Sequence, residues 1–152
     1  MTATYLEAVD AMFGLFNTGW QANAGAVVSP VPEIRWQGVE ERALPDKSKF
    51  WCRVSSQIVT EMQSTLGDYV GASTQRRYTT SGLLFVQLFC PYSDAQAFDK
   101  GRRLAQVARN IFRGKTTSNG VWFRRAKITE LPPEPDWYRF NIVTEFEYDE
   151  LA

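Results

Sequence analysis

Three acids on alternate residues, Glu145, Glu147 and Asp149, are the nearest approach to a catalytic or metal-binding group in this chain. Period-two spacing places them on one face of a strand, where a divalent cation or a glycosidase-like carboxylate pair could form. The simpler reading is a solvated acidic face opposite Phe146 and Tyr148. The 152 residues contain no histidine, which removes Ser-His-Asp and Cys-His catalysis and the commonest ligand for zinc, copper or non-haem iron. Gly114-Lys115-Thr116-Thr117 has the tail of a phosphate loop. It lacks the upstream glycine and follows a helix instead of a strand. No DxDxDG loop is present, and Cys52 and Cys90 form no CxxC pair; each sits in a strand-like alternation that suits a buried thiol. These residues lead us to expect no cofactor, no metal and no enzymatic activity.

Charge is arranged more informatively than any motif. The 17 basic and 17 acidic residues give zero net charge. Between them, Lys100, Arg102, Arg103, Arg109, Arg113, Lys115, Arg124, Arg125 and Lys127 form a basic stretch without an acid. Glu130, Glu134, Asp136, Glu145, Glu147, Asp149 and Glu150 follow, with Arg139 the one base. A solvated helix face complementing the helix dipole accounts for part of this. Two sharper readings are phosphate contact with nucleic acid and head-to-tail self-assembly, in which the basic surface of one copy meets the acidic surface of the next. The near balance of the two segments favours self-assembly, with Arg102, Arg109, Arg113, Arg124, Arg125, Glu145, Glu147 and Asp149 as interface or lumen candidates.

The elements that would carry these residues follow from hydrophobic period. With 44% hydrophobic and 14% aromatic residues, the chain is expected to fold as a single domain over 1–152. No basic leader precedes the first helix, and no apolar run reaches the roughly 20 residues of a membrane span, so a soluble protein of a reducing cytoplasm is expected. Thr2 or Thr4 caps a helix whose stripe is Tyr5, Leu6, Val9, Met12, Phe13 and Phe16, ending near Asn17 to Gly19. Trp20 to Asp46 lacks period apart from a short strand at Glu33 to Gln37. A strand follows with Phe50, Cys52, Val54, Ile58 and Met62 on one face. Thr65 to Gln75 reads as a projecting hairpin connection. Tyr78 to Cys90 is apolar on both faces, hence a central strand covered on both sides. Ser93 and Gln96 form a capping box for a second helix that Gly114 stops. Val121 to Thr129 is a strand, LeuProProGluProAsp a stiff connector, and Trp137 onward the last strand. The sum is an α+β fold: a mostly antiparallel sheet of about four or five strands, two main helices packed on one face, and long projecting loops.

Several of these features together resemble the small tail terminator (tail completion) proteins of long-tailed bacteriophages and prophages. They are the opening helix ending in GlyTrp, the central strand Leu83 to Phe89 followed by Pro91 and the arginine-bearing helix, and above all the closing TrpTyrArgPheAsnIleValThrGluPheGluTyrAspGlu. The resemblance implies a hexameric ring of this chain at the head-proximal end of the tail, a virion component assembled in the host cytoplasm. Such a ring binds the last ring of tail tube protein, stops tube polymerisation and offers a docking surface to the head connector. Genomic DNA passes through the lumen without sequence-specific contact, and no membrane is involved. On this view Trp20, Trp36, Asp68 and Tyr69 are candidates for tube or connector contacts. Another neck component, such as a head completion or head-to-tail joining protein, is the alternative in the same setting; a nucleic-acid-binding α+β domain using 100–127 is the alternative outside it.

Overall fold

The computed structural model describes residues 2–40, 43–64 and 76–152. Five strands form one sheet in the order β1-β2-β3-β5-β4, built from β1 (Glu33–Trp36), β2 (Trp51–Gln63), β3 (Arg77–Pro91), β4 (Trp122–Glu134) and β5 (Trp137–Leu151). Only β1 and β2 run parallel; the other neighbours are antiparallel. Helices α1 (Tyr5–Asn23) and α2 (Ala97–Phe112) pack together on one side. The expected α+β class, strand number and one-sided helix layer are all present. Thr65 to Gln75, with Asp68 and Tyr69, lies outside the described residues.

Helix α1 starts as its sequence dictates. Thr4 accepts from the Glu7 backbone at 3.2 Å while Glu7 accepts from the Thr4 backbone at 3.0 Å, a reciprocal capping box. Its buried stripe is Ala8, Met12, Phe16 and Trp20, at four-residue spacing, whereas Tyr5 and Leu6 are exposed. The helix also continues past the expected stop at Gly19. A Cβ there would meet Ile111 Cγ1 at 2.7 Å, so this glycine marks the close crossing of α2 and does not end the helix. Helix α2 begins later than expected. Gln96 is its N-cap without a side-chain bond, and Asp94, not Ser93, accepts from the Gln96 backbone at 2.8 Å. Gly114 does close it, at φ +64°.

Two strands depart from simple alternation. A register shift between Ile58 and Thr60 reverses the parity of β2. Met62 is therefore turned away from the face of Cys52 and Val54, against the expectation of one continuous apolar face. Strand β4 runs through the expected proline connector to Glu134. It is the edge strand, with no described strand beside its proline end, and its register slips between Leu131 and Glu134, so the missing N–H groups of Pro132 and Pro133 are tolerated.

A second slip in β4, between Arg124 and Lys127, places Arg125 at φ 54°. That left-handed conformation costs a non-glycine residue about 1–2 kcal/mol. Arg125→Gly is therefore expected to melt at or above the wild-type temperature, and Arg125→Val below it, because a β-branched residue fits positive φ worse than arginine does. A glycine variant that melts several degrees lower would contradict this reading of the bulge.

The core lies between helices and sheet. Leu84, Val86 and Leu88 of β3 and Phe140, Ile142 and Phe146 of β5 pack against the α1 stripe and against Leu104, Ala105, Ala108 and Phe112 of α2. Cys52 and Cys90 are buried free thiols, and Cys52 stands opposite Leu88, not Cys90. Burial pushes both thiols far above their ordinary value.

Candidate assembly surface

The expectation that β3 is covered on both faces holds for one face only. Away from the helices, Leu83, Phe85 and Gln87 of β3 and Asn141 and Val143 of β5 are half-buried, with no helix of the described residues across them. At one end of this open face Trp51, Phe89 and Trp137 form a small cluster of their own. The Trp51 and Phe89 rings stack at 4.1 Å and 5°, and Trp137 meets both edge-on. Arg35 and Arg53 hold their guanidinium groups 5.3 and 5.4 Å from the Trp51 ring. At the opposite end stand Glu145, Glu147 and Asp149, on one face as their spacing requires. The open face is thus apolar at its centre, arginine-bearing and aromatic at one end, and lined by carboxylates at the other, of which Glu145 and Asp149 are met by arginines. Three buried polar atoms on it, Arg35 Nε, Trp51 Nε1 and Asn141 Oδ1, make no hydrogen bond. Orphans of this kind are uncommon in a finished interior.

Most of the charges expected at an interface are engaged within the protomer. Arg102 binds Glu130 at 2.7 Å and lies over Phe98. Arg125 lies 3.2 Å and Arg124 3.8 Å from Glu145. Asp149 accepts from Arg77 at 2.9 Å and from the Thr79 hydroxyl at 2.7 Å. Lys100 pairs with Asp94 at 2.8 Å and Arg103 with Asp99 at 3.1 Å. Five of the nine bases in 100–127 therefore meet an acid of the same chain, and the uniform basic patch a nucleic-acid surface would need is broken up. The charge polarity along the sequence has a local cause: its basic and acidic segments become α2, β4 and β5, and β4 and β5 are neighbours in the sheet. Among the described residues Arg109 reaches only Asn110, at 3.3 Å, and Arg113 is exposed just beyond α2. Among the described residues, Glu147 has no cation; the Ser81 hydroxyl donates to it at 3.4 Å.

The tryptophans expected at a tube or connector surface divide. Trp20 is fully buried, stacks on Phe16 at 5.4 Å and donates from Nε1 to the Pro32 carbonyl at 3.0 Å. It is a core residue, because α1 continues far enough to bury it. Trp36 is half-buried against Phe13 and Phe16. Sequence reasoning singles out Trp51 beside Trp20 and Trp36 as an interface candidate but misses Arg35 and Arg53. The available signal was Trp51-x-Arg53, which period two puts on one face; Arg35 joins them only because β1 pairs with β2.

A separate cleft of about 380 Å³ opens between residues 27–33 and 45–51 near α2. Its charged walls include the Asp94–Lys100 pair, already joined. Among the described residues no three His, Cys, Asp or Glu side chains group as a metal site, and no helix is long and apolar enough to cross a membrane.

Four carboxylates lie below their ordinary range. The backbone N–H and then the hydroxyl of Thr4 lower Glu7, the hydroxyl and then the N–H of Ser48 lower Asp46, Lys100 and then the Gln96 N–H lower Asp94, and Arg102 lowers Glu130. A depressed folded value contributes stability above the unfolded value, 3.8 for Asp and 4.5 for Glu, and loses it as pH falls through the folded value. With no histidine and both thiols pushed up, the melting temperature is expected to stay flat from about pH 5.5 to 8 and to fall below about pH 4. Melting curves across that range check it; a slope of several degrees near pH 6.5 would contradict it.

The geometry defines a two-layer α+β domain with helices on one side of a mixed sheet and, among the described residues, the other side open. No family model matches the chain, and no curated protein matches it. One solved structure, titled only with a sequence identifier, aligns over 92% of this chain and 94% of its own at TM-score 0.59 and 16% identity. At that identity the likeness shows the shared fold. A chain from a structure titled "Virion of native gene transfer agent (GTA) particle" covers 96% of this chain and 99% of its own, at 17% identity and TM-score 0.49. A superposition that loose carries no argument.

Proposed function

We propose that this chain is a structural component of a phage-like virion, the tail terminator: a ring, hexameric as in the family it resembles, that caps the head-proximal end of the tail tube. It works by fit and has no catalytic step. The observation that carries the reading is the open sheet face, with apolar Leu83, Phe85 and Val143 at its centre and, among the described residues, an unpaired arginine, Arg53, at one end and an unpaired carboxylate, Glu147, at the other. A domain this size has core enough to fold without that face, so an apolar strip left half-buried on it is surface for another protein. Ends of opposite charge suit a heterologous contact, which closes into a ring when its rotation permits. The resemblance in element order and closing strand supplies the setting.

The test is tube growth. Purified protein added to polymerising tail tube protein is expected to halt elongation at the end it binds, and deletion of its gene to give overlong tails in micrographs. Tubes that grow unchanged, and tails of normal length joined poorly to heads, would favour the neighbouring role of a head-to-tail joining protein.

A further inference from the structure

We propose that the cleft between Arg35 and Arg53 receives the Glu147 carboxylate of a second copy of this chain, and that this contact joins adjacent subunits. The proposal rests on the ring reading above and names the partner group of its interface. The cleft, about 310 Å³, is walled by Arg35, Arg53, Gln37, Ser55 and the Gly38-Val39 turn. Both guanidinium groups are set against Trp51, itself pinned by Phe89 and Trp137. Their orientation is fixed before a ligand arrives, which lowers the entropy lost on binding. Arg35 is nine-tenths buried, and its Nη1 donates to the Ala43 carbonyl at 2.9 Å. Its Nε makes no hydrogen bond, with Glu33 3.5 Å away. Arg53 has no ion pair among the described residues. Among the described residues that line the cleft, two cations stand against one acid, Glu33, in a fork geometry suited to a carboxylate.

The second copy follows from what is left over on the same face. Glu145 is held by Arg124 and Arg125, and Asp149 by Arg77; Glu147 has only the Ser81 hydroxyl. Arg53 stands opposite Gln87 and Glu147 opposite Ser81. Those β3 positions are six residues apart, about 20 Å, so Glu147 cannot reach the Arg53 of its own chain. In a heterologous contact the Glu147 end of one copy reaches the Arg53 cleft of the next and covers that copy's Leu83, Phe85 and Val143, so each face is covered once around the ring. An apolar centre with charged ends is the composition of a protein interface and not of a phosphate track.

Native mass spectrometry and sedimentation of the full chain, with tail tubes supplied if assembly needs them, test this. Arg53→Glu and Glu147→Arg are each expected to raise the concentration needed for assembly at least about thirtyfold. The double variant is expected to recover most of that loss. Both side chains lie outside the core, so unchanged far-ultraviolet circular dichroism and melting confirm the folds. Arg53→Glu assembling like wild type, or a double variant without recovery, overturns the proposal and leaves the ring reading standing. Intact assembly with lost duplex binding in Arg53→Glu also overturns it, in favour of a phosphate ligand. Wild-type protein that never assembles, even with tubes, removes the ring reading and this contact together.

Discussion

Trp20→Ala is expected to destabilise the protein by about 3–5 kcal/mol, the range for removing a buried aromatic side chain. Trp20 is 0% exposed, stacked on Phe16, and its indole N–H satisfies the Pro32 carbonyl. The substitution opens a cavity between α1 and the segment leading to β1 and leaves a buried acceptor unpaired. Against a typical total of about 5–15 kcal/mol, that is enough to lower the melting temperature by roughly 10 °C or more. Thermal and urea denaturation measure it. A variant that melts normally and only loses tube binding would restore Trp20 as the surface contact its place in the sequence suggests.

Phe85→Glu is expected to do the reverse: fold normally and fail to assemble. Phe85 is half-buried at the centre of the open face, in register with Ser55 on one side and Val143 on the other. A carboxylate there stays hydrated in the monomer, so melting is expected to change little. In an assembled contact the charge would be buried beside Leu83 and Val143 with no partner, at a cost of about 2–4 kcal/mol per contact in the range of interface hot spots. Repeated around a closed ring, that loss removes the ring. Size-exclusion chromatography with circular dichroism separates the two effects. A variant that assembles as well as wild type would move the interface off this face.

These two residues also show where sequence reading succeeds and stops. The α2 stripe, the Thr4 cap, the Gly114 terminator and the alternation of β3 and β5 were legible because each depends on neighbours within a few residues. Gly19 was misleading: a local breaker signal hid a tertiary contact with Ile111. Pro132 and Pro133 broke β4 on paper, but an edge position removes the reason they should. The β2 bulge flips Met62 to the other face through one inserted residue that no periodicity announces. The charge segments misled most. Along the sequence they look like opposite poles, yet the fold lays them side by side, so Arg102, Arg124 and Arg125 find Glu130 and Glu145 at home. What remains unmatched among the described residues of the open face is Arg53 at one end and Glu147 at the other. They could be recognised only once β1, β2 and β5 had been placed in one sheet.

The central claim is that copies of this chain join through the open sheet face into a ring. The most direct measurement is the native mass of the wild-type protein over a range of concentrations, alone and with tail tubes. The account predicts a discrete closed multiple of the monomer mass, lost in Phe85→Glu while the fold is kept. A strict monomer indifferent to tubes, or an oligomer unchanged by Phe85→Glu, would contradict it.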